Sequence, residues 1–243
     1  MLLHCGIDAP HAAGDMRQGT SWLRPETLET LAELNELGLA LLLQEATLQG
    51  AQHGMATAPL LREVGTLRAG LEPPALRRAA ACPYLLFDVG FAAAARWRPA
   101  APGQVGDAAA SVCGAFFTAP ATVEVARLVL TFGWHLARTQ VTAARLLLGM
   151  PSACAGLIGA LTLRRVHALA ERHPEWLRPR WHGRPQVWRA LLSAAAAGEA
   201  RALEQAQIHG LTLLAAEVRA AARLTSPAGT ASTAPSPRSP ARP

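Results

Sequence analysis

The sequence predicts an all-α fold, a helical bundle followed by a disordered C-terminal tail. Three observations predict it. Apolar residues, mostly leucine, recur at spacings of three and four over most of the chain. Prolines cluster between these stretches, where they end or start helices. One run alone, Tyr84 to Phe91, has the apolar continuity of a strand, and an isolated strand has nothing to pair with.

The opening 20 residues are polar and glycine-containing and read as loose. A first helix starts near Pro25, which suits a first turn, with Glu26 and Glu29 complementing the helix dipole. Leu28, Leu31, Leu34, Leu37 and Leu41 mark its apolar stripe, and it closes near Gly50. Helical segments follow at Pro59–Arg68 and Ala75–Ala81. The Tyr84–Phe91 run reads as a buried helix or an extended segment under the core. Pro99 to Asp107 is the best internal linker.

A long helix spans Pro120 to Arg138, with Thr118 as a candidate N-cap and Val125, Leu128, Val129, Phe132 and Leu136 on one face. The helix continues or restarts over Thr139–Leu148 and ends at Gly149-Met150-Pro151. A small-residue helix covers Ser152–Ala160. Thr162 caps the next one, which His173-Pro174 stops near Arg172. Two more helices run from Pro185 to Ala197 and from Glu199 to Leu224. The last 18 residues have nothing to bury. The expected organisation is an acidic helical region over 1–98, a linker over 99–119, a basic helical domain over 120–225 and a tail over 226–243.

All 23 basic residues are arginine, and isoleucine occurs three times, a bias that a GC-rich coding sequence produces. It weakens any argument that arginine was selected for its forked geometry. The distribution of charge says more. Residues 1–120 hold 8 Arg against 11 acids, and residues 121–243 hold 15 Arg against 6. A basic half of this kind suits phosphate or an acidic partner, and it equally suits a solvated helical surface.

The four cysteines, Cys5, Cys82, Cys113 and Cys154, lie far apart without a C-x-x-C, which fits a reducing, cytoplasmic compartment. The first residues lack the charged start and apolar core of a signal peptide. Leu146–Leu163 is an uncharged run of 18 residues, but Pro151 breaks it, and a buried core helix is expected there rather than a membrane span. No phosphate-cradling G-x-x-x-x-G-K-[ST], nucleophile elbow or H-E-x-x-H is present, so no enzyme, cofactor or metal site is expected.

The segment from Trp176 to Arg189 holds three Trp and four Arg. Extended back to Arg164, it holds seven Arg against Glu171 and Glu175. Arginines grip phosphate and tryptophans stack, so Arg164, Arg165, Arg178, Arg180, Arg184 and Arg189 are the candidate nucleic-acid or partner contacts. The alternative is a structural strap, in which the tryptophans anchor a proline-rich connection and arginine stems lie over them. A helix-turn-helix centred on Gly149 is disfavoured. Its second helix offers only Ser152 as a polar side chain and nothing to read a base edge.

The order of features in Leu128–Trp181 resembles the flagellar transcriptional activator FlhD family. The resemblance rests on Leu128–Leu136, Leu147-Leu148-Gly149, Ser152–Gly159, Ala160-Leu161-Thr162-Leu163, Leu169-Ala170 and Arg180-Trp181. It implies a helical bacterial regulator of flagellar genes that pairs with itself and acts with a zinc-binding partner subunit. Leu128, Phe132, Leu136, Leu147, Leu161 and Leu169 would then form dimerisation and core positions, and Arg164 to Trp181 would approach DNA or the partner. The competing expectation is a helical adaptor or chaperone-like protein with no nucleic-acid role.

Overall fold

The computed structural model describes residues 23–51, 58–98 and 114–225. The opening 20 residues, most of the 99–119 linker and the 226–243 tail lie outside the described residues. Among those described there are ten α-helices and a single two-residue strand pair, so the fold is all-α.

The first helix, α1 (Pro25–Ala51), buries Leu31, Leu34, Asn35, Gly38, Leu41, Leu42 and Glu45, the i, i+3, i+4 line of one face. Leu28 and Leu37 fall off that line and are exposed, so the stripe read from the sequence is wider than the face that packs. Next come α2 (Pro59–Leu67) and α3 (Pro73–Ala80), each with proline in its first turn. A short helix, α4 (Ala94–Trp97), follows.

Between α3 and α4 the chain runs extended through the centre. Tyr84, Leu85, Leu86, Phe87, Val89 and Phe91 are all buried. An extended segment in a helical core must find partners for its backbone groups. Asn35, the only asparagine in the chain, supplies several of them. Its amide donates to the carbonyls of Ala80 and Tyr84, and its carbonyl accepts from Leu86 N–H at 2.8 Å. Leu85 N–H donates to Leu147 O, and Leu86 O accepts from Arg180 N–H. The run does find a pairing partner, contrary to the sequence expectation: β1 (Phe87–Asp88) lies antiparallel to β2 (Arg178–Pro179).

The second half begins with α5 (Thr122–Thr139), which breaks at Gln140 into α6 (Val141–Leu148). Thr118 does not cap α5. Its amide and hydroxyl donate to the buried carboxylate of Glu45, which pins the entry to α5 against α1. Gly149, at φ +63°, ends α6 in the left-handed conformation that favours glycine. Then follow α7 (Ser152–Gly159), α8 (Leu163–Arg172), α9 (Pro185–Ala197) and α10 (Ala200–Thr225). Thr162 caps α8 as expected, accepting from Arg165 N–H at 3.3 Å.

One hydrophobic core joins the two sequence regions. Helix α1 packs on α5, and α9 packs on α2 and α3. The boundary expected at 99–119 therefore does not divide the described residues into an acidic and a basic body. No single helix among the described residues is long and apolar enough to cross a membrane. The uncharged Leu146–Leu163 run is bent by 117° between α6 and α7.

Candidate interaction surface

The six candidate arginines divide into two groups. Arg180 is buried, and its guanidinium is spent inside the fold. Nε donates to Leu85 O at 2.8 Å, Nη2 to Leu148 O at 2.6 Å, and the carboxylates of Asp88 and Glu217 lie at 3.5 and 3.3 Å. Arg178 donates to the carbonyls of Gly114 and Glu175. Arg189 pairs through two donors with Glu63, and that hydrogen-bonded ion pair holds the Glu63 carboxyl below the usual range. These three are structural ties, and Arg180 in particular is not placed to meet phosphate. Arg164, Arg165 and Arg184 are exposed, and their guanidiniums have no partner among the described residues.

The tryptophans follow the strap reading. Trp188 is buried and its indole N–H donates to Arg180 O at 2.6 Å. Trp176 stacks on His173, with the Arg96 guanidinium over its face. Trp181 sits at φ +50°, a left-handed backbone that a bulky residue rarely adopts. Its indole N–H donates to Glu217 and its ring meets Tyr84 edge-on, contacts that hold it there. The segment thus latches the β1–β2 pair to α10. It also borders a cavity of about 330 Å³ whose lining combines Trp176 and Trp181 with Asp88, Arg96, Arg178, His182 and Glu217.

Of the expected core leucines, Leu136, Leu147 and Leu169 are buried with Phe132, and Leu161 is half-buried. Leu128 is 38% exposed and Leu163 42%. Spacing alone makes both look like core. Leu128, however, lies one residue off the Val125–Val129–Phe132 line, and Leu163 opens α8 before its buried face begins.

The exposed leucines converge. An open groove of about 870 Å³ runs between the first half of α1 and the second half of α5. Leu34 and Leu37 of α1, Leu128, Phe132 and Leu136 of α5, and Leu163 of α8 give it apolar walls. Leu37 is 44% exposed, so three leucines face solvent in one concavity. Glu26 and Glu33 line the α1 edge, and exposed Glu29 and Glu36 continue that edge outward. Trp134 closes the far end, its indole N–H on Leu161 O and the Arg138 guanidinium over its ring. Gln140 also lines the groove, and its shielded Oε1 has no hydrogen-bond partner among the described residues.

The sequence marks Phe132, Leu136 and Leu128 as dimerisation or core positions but does not show that α1 supplies the other wall. The available signal is the width of the α1 stripe: Leu28, Leu31, Leu34, Leu37 and Leu41 span more arc than one packing face needs. On α7, Cys154, Ala155 and Ile158 are buried and Ser152 is exposed, so the helix turns no base-reading side chain outward. Comparison of the chain with protein-family models, curated proteins and solved structures finds no match.

Proposed function

We propose that the chain is a helical protein-interaction adaptor and that the α1/α5 groove is its receiving surface. The carrying observation is the convergence of Leu37, Leu128 and Leu163, all about two-fifths exposed, in one groove. Three leucines exposed in one concavity offer apolar surface that the side chains of a partner helix can cover. The α1 wall runs from Arg24 to Leu37, roughly 20 Å at the helical rise, enough to seat about four turns of an amphipathic helix. The two described cysteines are free thiols, which fits action in a reducing cytoplasm.

The test is capture of protein partners by tagged full-length chain after nuclease treatment, beside the variant Leu37→Glu plus Leu128→Glu. The expected result is binding that survives nuclease and is abolished in the variant. Equal capture by both proteins would overturn the reading.

A second reading keeps the regulator of FlhD type. The observation that favours it is the exposed set Arg164, Arg165 and Arg184. It requires promoter binding that weakens steeply with salt. Arg164→Ala plus Arg165→Ala should then shrink the salt slope by about 0.9 for each phosphate left without its arginine.

A further inference from the structure

We infer that the occupant of the groove is α10 of a second copy of this chain, docked head to tail. The inference rests on the groove being a helix-receiving surface and names the helix. Helix α10 turns Leu203, Gly210 and Leu214 inward, with Glu217 held by Arg180 and Trp181. Away from that face an exposed apolar line runs through Ile208, Leu211 and Ala215, the i, i+3, i+7 spacing of anchors laid into a groove, with half-buried Val218 between this line and the core. Ile208 is 55% exposed and Leu211 37%, and nothing among the described residues covers them.

Charge pairs the two surfaces. By helical geometry Arg201 and Arg219 fall in one column beside the α10 apolar line, with Arg223 close to it; all three are exposed. The α1 edge of the groove carries Glu26 and Glu33, with Glu29 and Glu36 next to them. An apolar ridge with a basic flank, preceded one turn earlier by exposed Glu204, therefore meets an apolar trough whose α1 edge is acidic apart from Arg24 at its start. This is also the local form of the charge split between the two halves of the sequence. The exposed line from Ile208 to Ala215 covers about two turns and fits within the roughly four turns of the α1 wall.

Such an interface uses two different patches, so a docked pair keeps one open groove and one open ridge, and assembly continues into rings or chains. That property makes the test selective. Leu128→Glu spoils the groove and leaves α10 intact; Ile208→Glu does the reverse. Both positions are substantially exposed, so both variants should melt like the parent protein.

Sedimentation velocity of the parent chain should show concentration-dependent assembly. Each variant alone should be monomeric, and an equimolar mixture should form a one-to-one dimer that grows no further. Arg219→Glu should weaken assembly at least tenfold, and combining it with Glu33→Arg should recover most of the loss. Assembly by either single variant alone, or failure of the two variants to recombine, would overturn the inference. A parent chain that stays monomeric at every concentration would also overturn it. The adaptor reading would then stand or fall separately on nuclease-resistant capture.

Discussion

Arg180 donates from Nη2 to the carbonyl oxygen of Leu148 at 2.6 Å, so a charged side chain closes the C-terminal end of α6 from inside the core. The same guanidinium holds Leu85 O and faces Asp88 and Glu217. Truncating one member of such a set strands the others without partners. Arg180→Met should therefore cost about 3–5 kcal/mol, read by urea unfolding. Arg164→Ala, an exposed control on α8, should change stability by less than about 0.5 kcal/mol. Equal, small effects would show that the Arg180 network contributes nothing to the fold.

Gly149 and Gly198 both sit in the left-handed region, at φ +63° and +71°. An added Cβ at Gly149 would come within 2.6 Å of Leu214 Cδ1, whereas at Gly198 it meets open space. Gly198→Ala should cost about 1 kcal/mol from backbone strain alone. Gly149→Ala should cost about 1–3 kcal/mol more, because it also pushes α10 away from α6. Thermal unfolding of the two variants side by side measures the difference.

Cys82 is buried, and loss of hydration pushes its thiol up to about 12. Burial raises Tyr84 in the same sense. Both groups stay protonated in the fold while the unfolded chain ionises, so the unfolded state binds fewer protons at alkaline pH. Stability contributed by Cys82 is fully present below its unfolded value near 9 and falls as pH rises from 9 towards 12, by about 1.4 kcal/mol per pH unit. Urea unfolding at pH 8 and pH 10.5 should show the drop, and Cys82→Ala should reduce it. A flat profile would contradict the buried thiol.

Leu169→Ala should destabilise by about 2–4 kcal/mol, since Leu169 is buried against α5 and its removal leaves a cavity. Leu128→Ala should cost less than about 1 kcal/mol, because that side chain already faces the open groove. Comparable losses at both sites would mean that Leu128 is packed after all.

Helix positions are legible in the sequence because each carries a local signal: Pro25, Pro59 and Pro185 open helices, Gly149 and Gly198 close them, and Thr162 caps one. Which side of a helix packs is less legible, since it depends on neighbours distant in sequence. Leu37 and Leu128 look like core by spacing and become a groove only because α1 and α5 meet where they do. The phosphate-contact reading fails at Arg180 for the same reason. Nothing near it in sequence announces that Leu85, Asp88, Leu148 and Glu217 will surround it. The partner for the Tyr84–Phe91 run is hidden too, because Arg178-Pro179 has no strand signature and pairs over only two residues.

In the proposed adaptor, partners dock in the α1/α5 groove rather than on the exposed arginines of α8. A photo-crosslinking amino acid placed at Leu37, and separately at Arg165, tests it most directly in cells. The groove position should yield protein adducts that persist after nuclease, with α10 peptides among them if copies dock head to tail. Position 165 should yield few adducts of any kind. Nucleic-acid adducts at 165, together with no protein adduct at 37, would contradict the account.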